Sequence, residues 1–255
     1  MLPDGTLAAF GLFMTRTSAL VLATPFFGAE STFGGAKVAL ITSLALLSYT
    51  AHGTPLPDAQ APLAFGLLAL REVLIGLSLA LVLQLALLAV RVSGEMIGQE
   101  MAFNMANVVD PATGLSTPLV TQLYEAAFVL GLLAVDGHHL VLRALGSSFE
   151  RAPVGSFEID TGLAELVTRQ LAQMFAAGIT FAAPVLVLLS LTSLVMGLLA
   201  RTVPALNVLE VGFTLRIMVG LGAMTLFAPL IAPALTALFN AVDVGLTQVL
   251  GELGA

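Results

Sequence analysis

The sequence has no cysteine, only three histidines, and charged residues at just 10% of its 255 positions. Without cysteine it can form no disulfide, no thiolate nucleophile and no cysteine-ligated zinc or iron–sulfur site. Ordinary soluble domains carry about 25% charged residues, so this chain has too few to cover a water-soluble surface. Its nine Lys and Arg residues are thinly spread in a chain of net charge −7, which leaves no basic patch for phosphate backbones. We therefore expect no nucleic acid partner.

Long apolar runs are what the sequence has instead. Apolar residues make up 58% of the chain, and the mean hydropathy is +1.02. Three runs contain no charged residue and approach or exceed the roughly 18 to 20 residues of a spanning helix: 73–90, 170–200 and 217–242. Weaker candidates are 7–27, 38–51 and 121–135. The pattern predicts an all-α membrane protein.

Prolines interrupt two of the long runs. Pro184 lies in one, and Pro229 and Pro233 lie in the other, where each removes a backbone hydrogen bond. We therefore expect these helices to bend or break. The N-terminus lacks a basic segment before its apolar stretch, and we expect it to be retained. Too few Lys and Arg flank the runs to fix an orientation in the membrane.

Charged residues inside apolar segments are the first functional signal. Each would cost about 2.5 kcal/mol or more facing lipid at mid-depth, so each should face protein or water. They are Arg16, Arg71, Glu72, Glu125 and Arg216. They could pair with one another or extend along helix ends to water. Alternatively, they could pair across subunit boundaries in a larger complex.

Small residues four apart recur in the apolar runs and permit close helix contact. The pairs are Gly76 and Ala80, Gly94 and Gly98, and Gly178 and Ala182. We therefore expect helices to approach one another at these points.

Catalytic motifs are absent. The chain contains no HExxH, GxSxG or GxxxxGK[ST] pattern. His138 and His139 beside Asp136 could act as a base and the group that orients it. The alternative is a polar helix entry after Gly137, with one histidine capping the helix and the other at an interface. Three histidines leave little for a metal cage, and we expect neither an enzyme nor a cofactor.

Several stretches, taken together and in order, resemble the FliR family of flagellar export-apparatus membrane proteins, whose injectisome relatives are called SctT. They are REVLIGLSLAL (71–81), RVSGEMIGQEM (91–101), the Asp110-Pro111 turn, GHHLVLRALGSSFERAPVG (137–155) and GLLARTVPALNVLEVGFTLRIMVGLG (197–222). Arg16 followed by Pro25-Phe26 fits the same pattern. The resemblance covers nearly the whole chain.

The resemblance implies a single FliR-like domain over 1–255, built of apolar helical hairpins and kinked helices. Such a subunit assembles with FliP-like and FliQ-like subunits into the type III export gate, which an FlhB-like subunit contacts. Unfolded flagellar proteins pass through this gate. Its expected location is the bacterial inner membrane at the flagellar basal body, with partner subunits covering much of the chain from lipid.

The resemblance also implies that the segment after the GExIG pattern, at about 101–114, projects into the pore as a plug. Thioether and valine side chains can form a soft apolar seal there, and Asp110 with Pro111 suits a turn. The expected plug residues are Met101, Phe103, Met105, Val108, Val109, Asp110 and Pro111. Many relatives have aromatic residues where this chain has Val108-Val109. The alternative is that these are ordinary loop and packing residues.

The expected subunit interface combines the intramembrane charges with residues of the last resembling stretch. Its members are Arg16, Arg71, Glu72, Glu125, Arg201, Asn207 and Arg216. The family commonly has Pro in place of Thr214 and Lys in place of Arg216, so a kink is lost while the positive charge is kept.

Alternative functions remain open. They are the equivalent subunit of a virulence injectisome, a secondary transporter, and a membrane-bound acyl or glycosyl transferase. Asp136, His138 and His139 are the only candidate catalytic residues for a transferase.

Overall fold

The computed structural model describes residues 5–25, 34–56, 61–102, 119–154, 161–202 and 208–253. Within these ranges the chain forms α-helices and no strand. The helices are α1 (Thr6–Ala23), α2 (Gly34–His52), α3 (Pro62–Glu100), α4 (Leu119–Ala134), α5 (Gly137–Arg151), α6 (Thr161–Thr202) and α7 (Val208–Leu253). The predicted all-α class is confirmed.

Six helical segments are long and apolar enough to cross a membrane. They are α1, α2, α3, the part of α6 from Glu165–Thr202, and two parts of α7, Glu210–Leu230 and Ala232–Leu253. The pair α4 and α5 adds a seventh candidate if it is counted as one span. The three charge-free runs lie inside α3, α6 and α7, as predicted from their length and composition.

Three helices are longer than a bilayer requires. At about 1.5 Å per residue, the 39 residues of α3 extend about 58 Å, against a hydrocarbon core of about 30 Å. Helices α6 and α7 have 42 and 46 residues. Pro184 lies inside α6, and Pro229 and Pro233 lie inside α7, yet each helix continues through its prolines. The expected break is not observed; a bend at these prolines stays a prediction.

The chain packs as two compact units. The first consists of Met1–Ala86, Leu133–Leu171 and Asn240–Ala255. In its core the ring of Phe13 stacks on Phe149 with centroids 4.3 Å apart and meets Tyr49 edge-on at 5.5 Å. A Cβ at Gly76 would lie 2.5 Å from the Arg16 carbonyl oxygen and 2.8 Å from Ala19 Cβ. Glycine at this position therefore allows α3 to pack directly on α1.

The second unit consists of Leu87–Leu132 and Ala172–Phe239. A Cβ at Gly94 would lie 2.5 Å from Thr121 Cα, and one at Gly178 would lie 2.6 Å from the Ala89 carbonyl oxygen. Ser93 Oγ lies 2.7 Å from the Gly178 carbonyl oxygen and hydrogen-bonds across the same contact. Gly76, Gly94 and Gly178 thus each lie at a close helix approach, as their small-residue patterns predict.

A substitution at Gly178 tests this packing. Gly178→Ala should force α6 away from α3 and destabilise the chain by about 1–3 kcal/mol, the usual cost of overpacking. Gly197→Ala is the matched control on the same helix, because a Cβ there meets nothing within 4 Å. Since alanine is the better helix former, the control should be neutral or slightly stabilising. Thermal unfolding in detergent measures both, and equal melting temperatures would contradict the contact.

Candidate functional site

A buried ion pair lies at the centre of the first unit. Arg16 on α1 donates from Nε to Glu72 Oε2 on α3 at 2.6 Å. Its Nη1 donates to the Ser148 carbonyl oxygen at 2.8 Å, and its Nη2 donates to the Ala152 carbonyl oxygen at 2.9 Å. The guanidinium carbon lies 4.2 Å from the ring centroid of Phe149. Every nitrogen of the guanidinium group thus has an acceptor, and the group joins α1, α3 and the end of α5.

This arrangement corrects the expected position of two interface residues. The side chains of Arg16 and Glu72 are 0% and 1% exposed, so a partner subunit cannot reach them without a rearrangement of the chain. They pair with each other, which was the alternative that the sequence left open. We therefore assign both to the interior of the chain. Ser148 and Ala152 complete the cluster through their backbone carbonyls, with the Ser148 hydroxyl as a further acceptor at 3.2 Å. Sequence reasoning missed both, because a backbone carbonyl leaves no signal in residue identity.

Glu125 lies on the surface of the second unit, in α4. Its Oε1 is 2.5 Å from Nε of Arg91 on α3. Arg91 is 48% exposed and Glu125 26% exposed, so the pair is partly uncovered on an otherwise apolar helix. Sequence reasoning missed Arg91 because it lies at the end of a charge-free run. Part of the Glu125 carboxylate is therefore accessible from outside the second unit.

Three other expected interface cations have no ion-pair partner within the described ranges. Arg71 and Arg216 are half-buried, and Arg201 is exposed in the last turn of α6. The Nε atom of Arg216 is buried, and no hydrogen-bond acceptor for it occurs in the described part of the chain. Two residues away, Thr214 bonds back to the Glu210 carbonyl oxygen at 3.1 Å, and α7 continues through it. Asn207 lies outside the described residues.

Met101 is the one expected plug residue that the described ranges include. It follows α3, is fully buried, and donates its backbone N–H to the Ile97 carbonyl oxygen at 2.9 Å. Its side chain packs on α7 at Gly220, where an added Cβ would lie 2.6 Å from Met101 Sδ. Ala102 then adopts a left-handed conformation with φ 62°. Phe103, Met105, Val108, Val109, Asp110 and Pro111 lie outside the described residues.

Met101 therefore packs on α7 within the second unit. Gly220→Ala should displace its thioether and shift the start of the 101–114 segment, at a cost of about 1–3 kcal/mol. Gly222→Ala is the matched control, since a Cβ there meets nothing within 4 Å. Met101→Ala alone should cost about 2–5 kcal/mol, because it empties a fully buried site. Combined with Gly220→Ala it should cost less than the sum of the two single changes, because the added methyl group then occupies part of the emptied space. Thermal unfolding and protease accessibility of the segment measure the effect; strictly additive losses would contradict the contact.

A polar turn separates α4 from α5. Asp136 occupies the N-cap position of α5 with φ 57°, and its side chain makes no capping hydrogen bond. His139 Nδ1 lies 3.5 Å from Asp136 Oδ1, and the rings of His138 and His139 have centroids 4.1 Å apart. Neither histidine ring caps the helix in the described structure, although one was expected to. Both rings instead lie close to Asp136 in a group of three side chains. No nucleophile of a transferase accompanies them among the contacts described.

Comparison of the chain with known proteins points to one protein family. The family described as "Bacterial export proteins, family 1" matches this chain over residues 7–242. The chain is 34% identical over 214 residues to the Flagellar biosynthetic protein FliR of Bacillus subtilis (strain 168), which covers 83% of this chain and 82% of that protein. It is 31% identical over 243 residues to the Flagellar biosynthetic protein FliR of Escherichia coli (strain K12), covering 94% and 92%. A third relative, from Caulobacter vibrioides, is 29% identical over 219 residues and covers 84% and 86%.

Proposed function

The chain belongs to the FliR family of bacterial export proteins, and from that membership we propose that it is a structural and gating subunit of the flagellar type III protein export gate. In this role it lines the conduit for unfolded flagellar proteins together with FliP-like and FliQ-like subunits, and an FlhB-like subunit contacts the assembled gate. Its location is the bacterial inner membrane at the flagellar basal body. The chain acts as one export-gate domain over 1–255, although it packs as two units.

The observation that carries the proposal is the apolar surface that the chain leaves uncovered on its helices. We compare the share of buried residues in the most apolar 18-residue window of each helix. This share is 67% in α3, but only 22% in the α6 segment and 11% in α2. Because α6 is about twice as long as the hydrocarbon core is thick, lipid alone cannot cover its full length. Apolar partner helices of similar length supply the missing contact.

The charge pattern supports the same proposal. An arginine inside a spanning segment is tolerated where protein or water covers it. Arg216 carries a buried Nε atom whose acceptor is absent from the described part of this chain, and such an atom normally has a partner. We place Arg71, Glu125, Arg201 and Arg216 at the subunit interface, together with Asn207, which lies between Arg201 and Arg216 in the sequence. A carboxylate or backbone carbonyl of a partner subunit then completes the contacts of Arg216.

Substitutions at Arg216 test this interface. Arg216→Ala should reduce the yield of assembled complex more than Arg216→Lys, because lysine keeps the positive charge. Some loss should remain with lysine, since it lacks the planar two-point geometry of arginine. Arg169→Ala is the control, since Arg169 is exposed and pairs with Glu165 four residues earlier. Complex yield after solubilisation is the measurement. Equal losses in both Arg216 variants would indicate a bidentate contact, whereas no loss in either would remove Arg216 from the interface.

The plug completes the proposed mechanism. The segment 101–114 closes the pore through apolar contact of Met105, Val108 and Val109, with Phe103 beside them and the Asp110-Pro111 turn shaping the end. Met101 holds the base of this segment against Gly220. A passing chain displaces the soft side chains at low cost because methionine repacks easily. The segment then closes again when the chain has passed.

Deletion of the gene in its own bacterium tests the function. Secreted flagellar proteins should disappear from the medium and return when the chain is supplied again. Loss of injectisome substrates with flagellar secretion intact would favour the injectisome alternative. A secondary transporter finds less support, since the cavity of about 140 Å³ in the second unit is lined by apolar side chains, Thr180 and Tyr124, without an acidic or basic residue. Normal secretion of both classes after deletion would overturn the proposal.

A further inference from the structure

The turn between α4 and α5 brings three metal-ligating side chains together. Asp136, His138 and His139 each offer one ligand atom, and these atoms all lie within 4.8 Å of one another. Two imidazole nitrogens with one carboxylate oxygen form a donor set that suits zinc, copper or nickel rather than magnesium or calcium. We propose that these three residues form a binding site for a divalent transition metal, best suited to Zn²⁺.

The spacing between Asp136 and His139 fits coordination better than a direct hydrogen bond. His139 Nδ1 lies 3.5 Å from Asp136 Oδ1, whereas N–H···O bonds are about 2.7–3.2 Å long. Two ligand atoms that are each about 2.0–2.2 Å from a tetrahedral zinc lie about 3.3–3.6 Å apart. The pair is thus held at the separation that a shared metal ion requires.

The surroundings leave these side chains available to a ligand. Asp136 adopts a left-handed conformation at the N-cap, and its carboxylate does not cap the helix. The Nδ1 atom of His138 is buried without a hydrogen-bond partner among the described residues. A buried polar atom of this kind normally has a partner, because leaving it unpaired costs about 1–3 kcal/mol. Coordination of a cation by this nitrogen would supply the missing partner.

Access from water is open on the other side of the group. Asp136 is 72% exposed and the His139 side chain is 58% exposed, so an ion can enter without opening the fold. Three protein ligands leave at least one coordination position for water or for a group of another subunit. The site joins the turn residue Asp136 to the first turn of α5 and would thereby fix the geometry of this turn.

Metal titration of the full-length chain, carrying a tag without histidine, tests the proposal. The probe is Co²⁺ alone, followed by competition with Zn²⁺. We expect one Co²⁺ per chain with the strong visible absorption of a low-coordinate site, lost on addition of Zn²⁺. His139→Gln, His138→Gln and Asp136→Ala should each weaken binding by at least about tenfold, the smallest loss expected even for residues that only support a ligand. His52→Gln is the matched control, since the ring of His52 faces Glu150 at 3.3 Å and lies outside the group.

A second measurement reads the ligands directly by spectroscopy, beginning with the unaltered chain. Electron paramagnetic resonance of Cu²⁺ bound to the unaltered chain should show coupling to two imidazole nitrogens, and His139→Gln, at the exposed position, should reduce this to one. The absence of saturable Co²⁺ binding would overturn the proposal. So would binding that the three variants leave unchanged, or binding that His52→Gln weakens equally, because either result would mean adventitious binding at the surface.

Discussion

Replacing Glu72 with alanine is expected to destabilise the chain by about 3–5 kcal/mol, the usual cost of leaving one partner of a buried ion pair uncompensated. Arg16 would remain between α1, α3 and α5 as a cation with only carbonyl and hydroxyl acceptors around it. A loss of this size is a large fraction of the stability of most folded proteins. The chain should therefore melt at a lower temperature in detergent and accumulate to a lower level in membranes.

Two further variants show whether charge pairing is the cause. Glu165→Ala removes the carboxylate of an exposed pair, Glu165 with Arg169 at 2.9 Å, and should cost about 0.3–0.5 kcal/mol. The double variant Arg16→Met with Glu72→Leu replaces both charges by apolar groups of similar size and should be more stable than Glu72→Ala alone. Equal melting temperatures for Glu72→Ala and Glu165→Ala would contradict the buried pair.

Removing the apolar side chains of the proposed plug is expected to open the gate to small solutes. In the triple variant, Met105, Val108 and Val109 are replaced by glycine. At roughly 25 cal/mol per Å² of apolar area, the loss removes a few kcal/mol of closure, which is enough to shift a mostly closed gate towards open. Assembly should be unaffected, because these side chains seal the channel and do not build its wall.

Ion conductance or small-solute uptake in cells that express the complete gate measures the leak, alongside the yield of complex. Met218→Ala is the control: it removes a methionine side chain that is 67% exposed on α7, outside the proposed plug, and should leave conductance low. Increased conductance with normal yield supports the plug. Unchanged conductance together with failed assembly would assign 101–114 to a structural role.

The helices and their closest contacts could be predicted from the sequence because both depend on local patterns. A run without charge that is 18 residues or longer specifies a helix in this composition. Gly76, Gly94 and Gly178 indicate close approach because only a residue without a Cβ permits it. These features depend on neighbours along the chain, and the structure places them as expected.

The partners of the charged residues could not be predicted in the same way. Arg16 meets Glu72 across 56 positions of sequence and Ser148 across 132, and two of its acceptors are backbone carbonyls that leave no trace in residue identity. Met101 has the flexible apolar side chain expected of a plug residue. It is nevertheless fully buried, because Gly220 leaves space for it on α7. One of the histidines after Gly137 was expected to cap the helix, whereas both lie in a group with Asp136, whose backbone is left-handed with φ 57°.

The most direct test of the central claim is co-isolation of the full-length chain with the FliP-like and FliQ-like subunits of the same bacterium. All three are expressed together, the chain alone carries the tag, and the mass of the solubilised complex is measured. The account predicts a stable complex that contains both partners, while the chain expressed alone aggregates or is degraded, because its intramembrane cations and apolar faces lack cover. A monodisperse lone chain that unfolds cooperatively and retains neither subunit would contradict it.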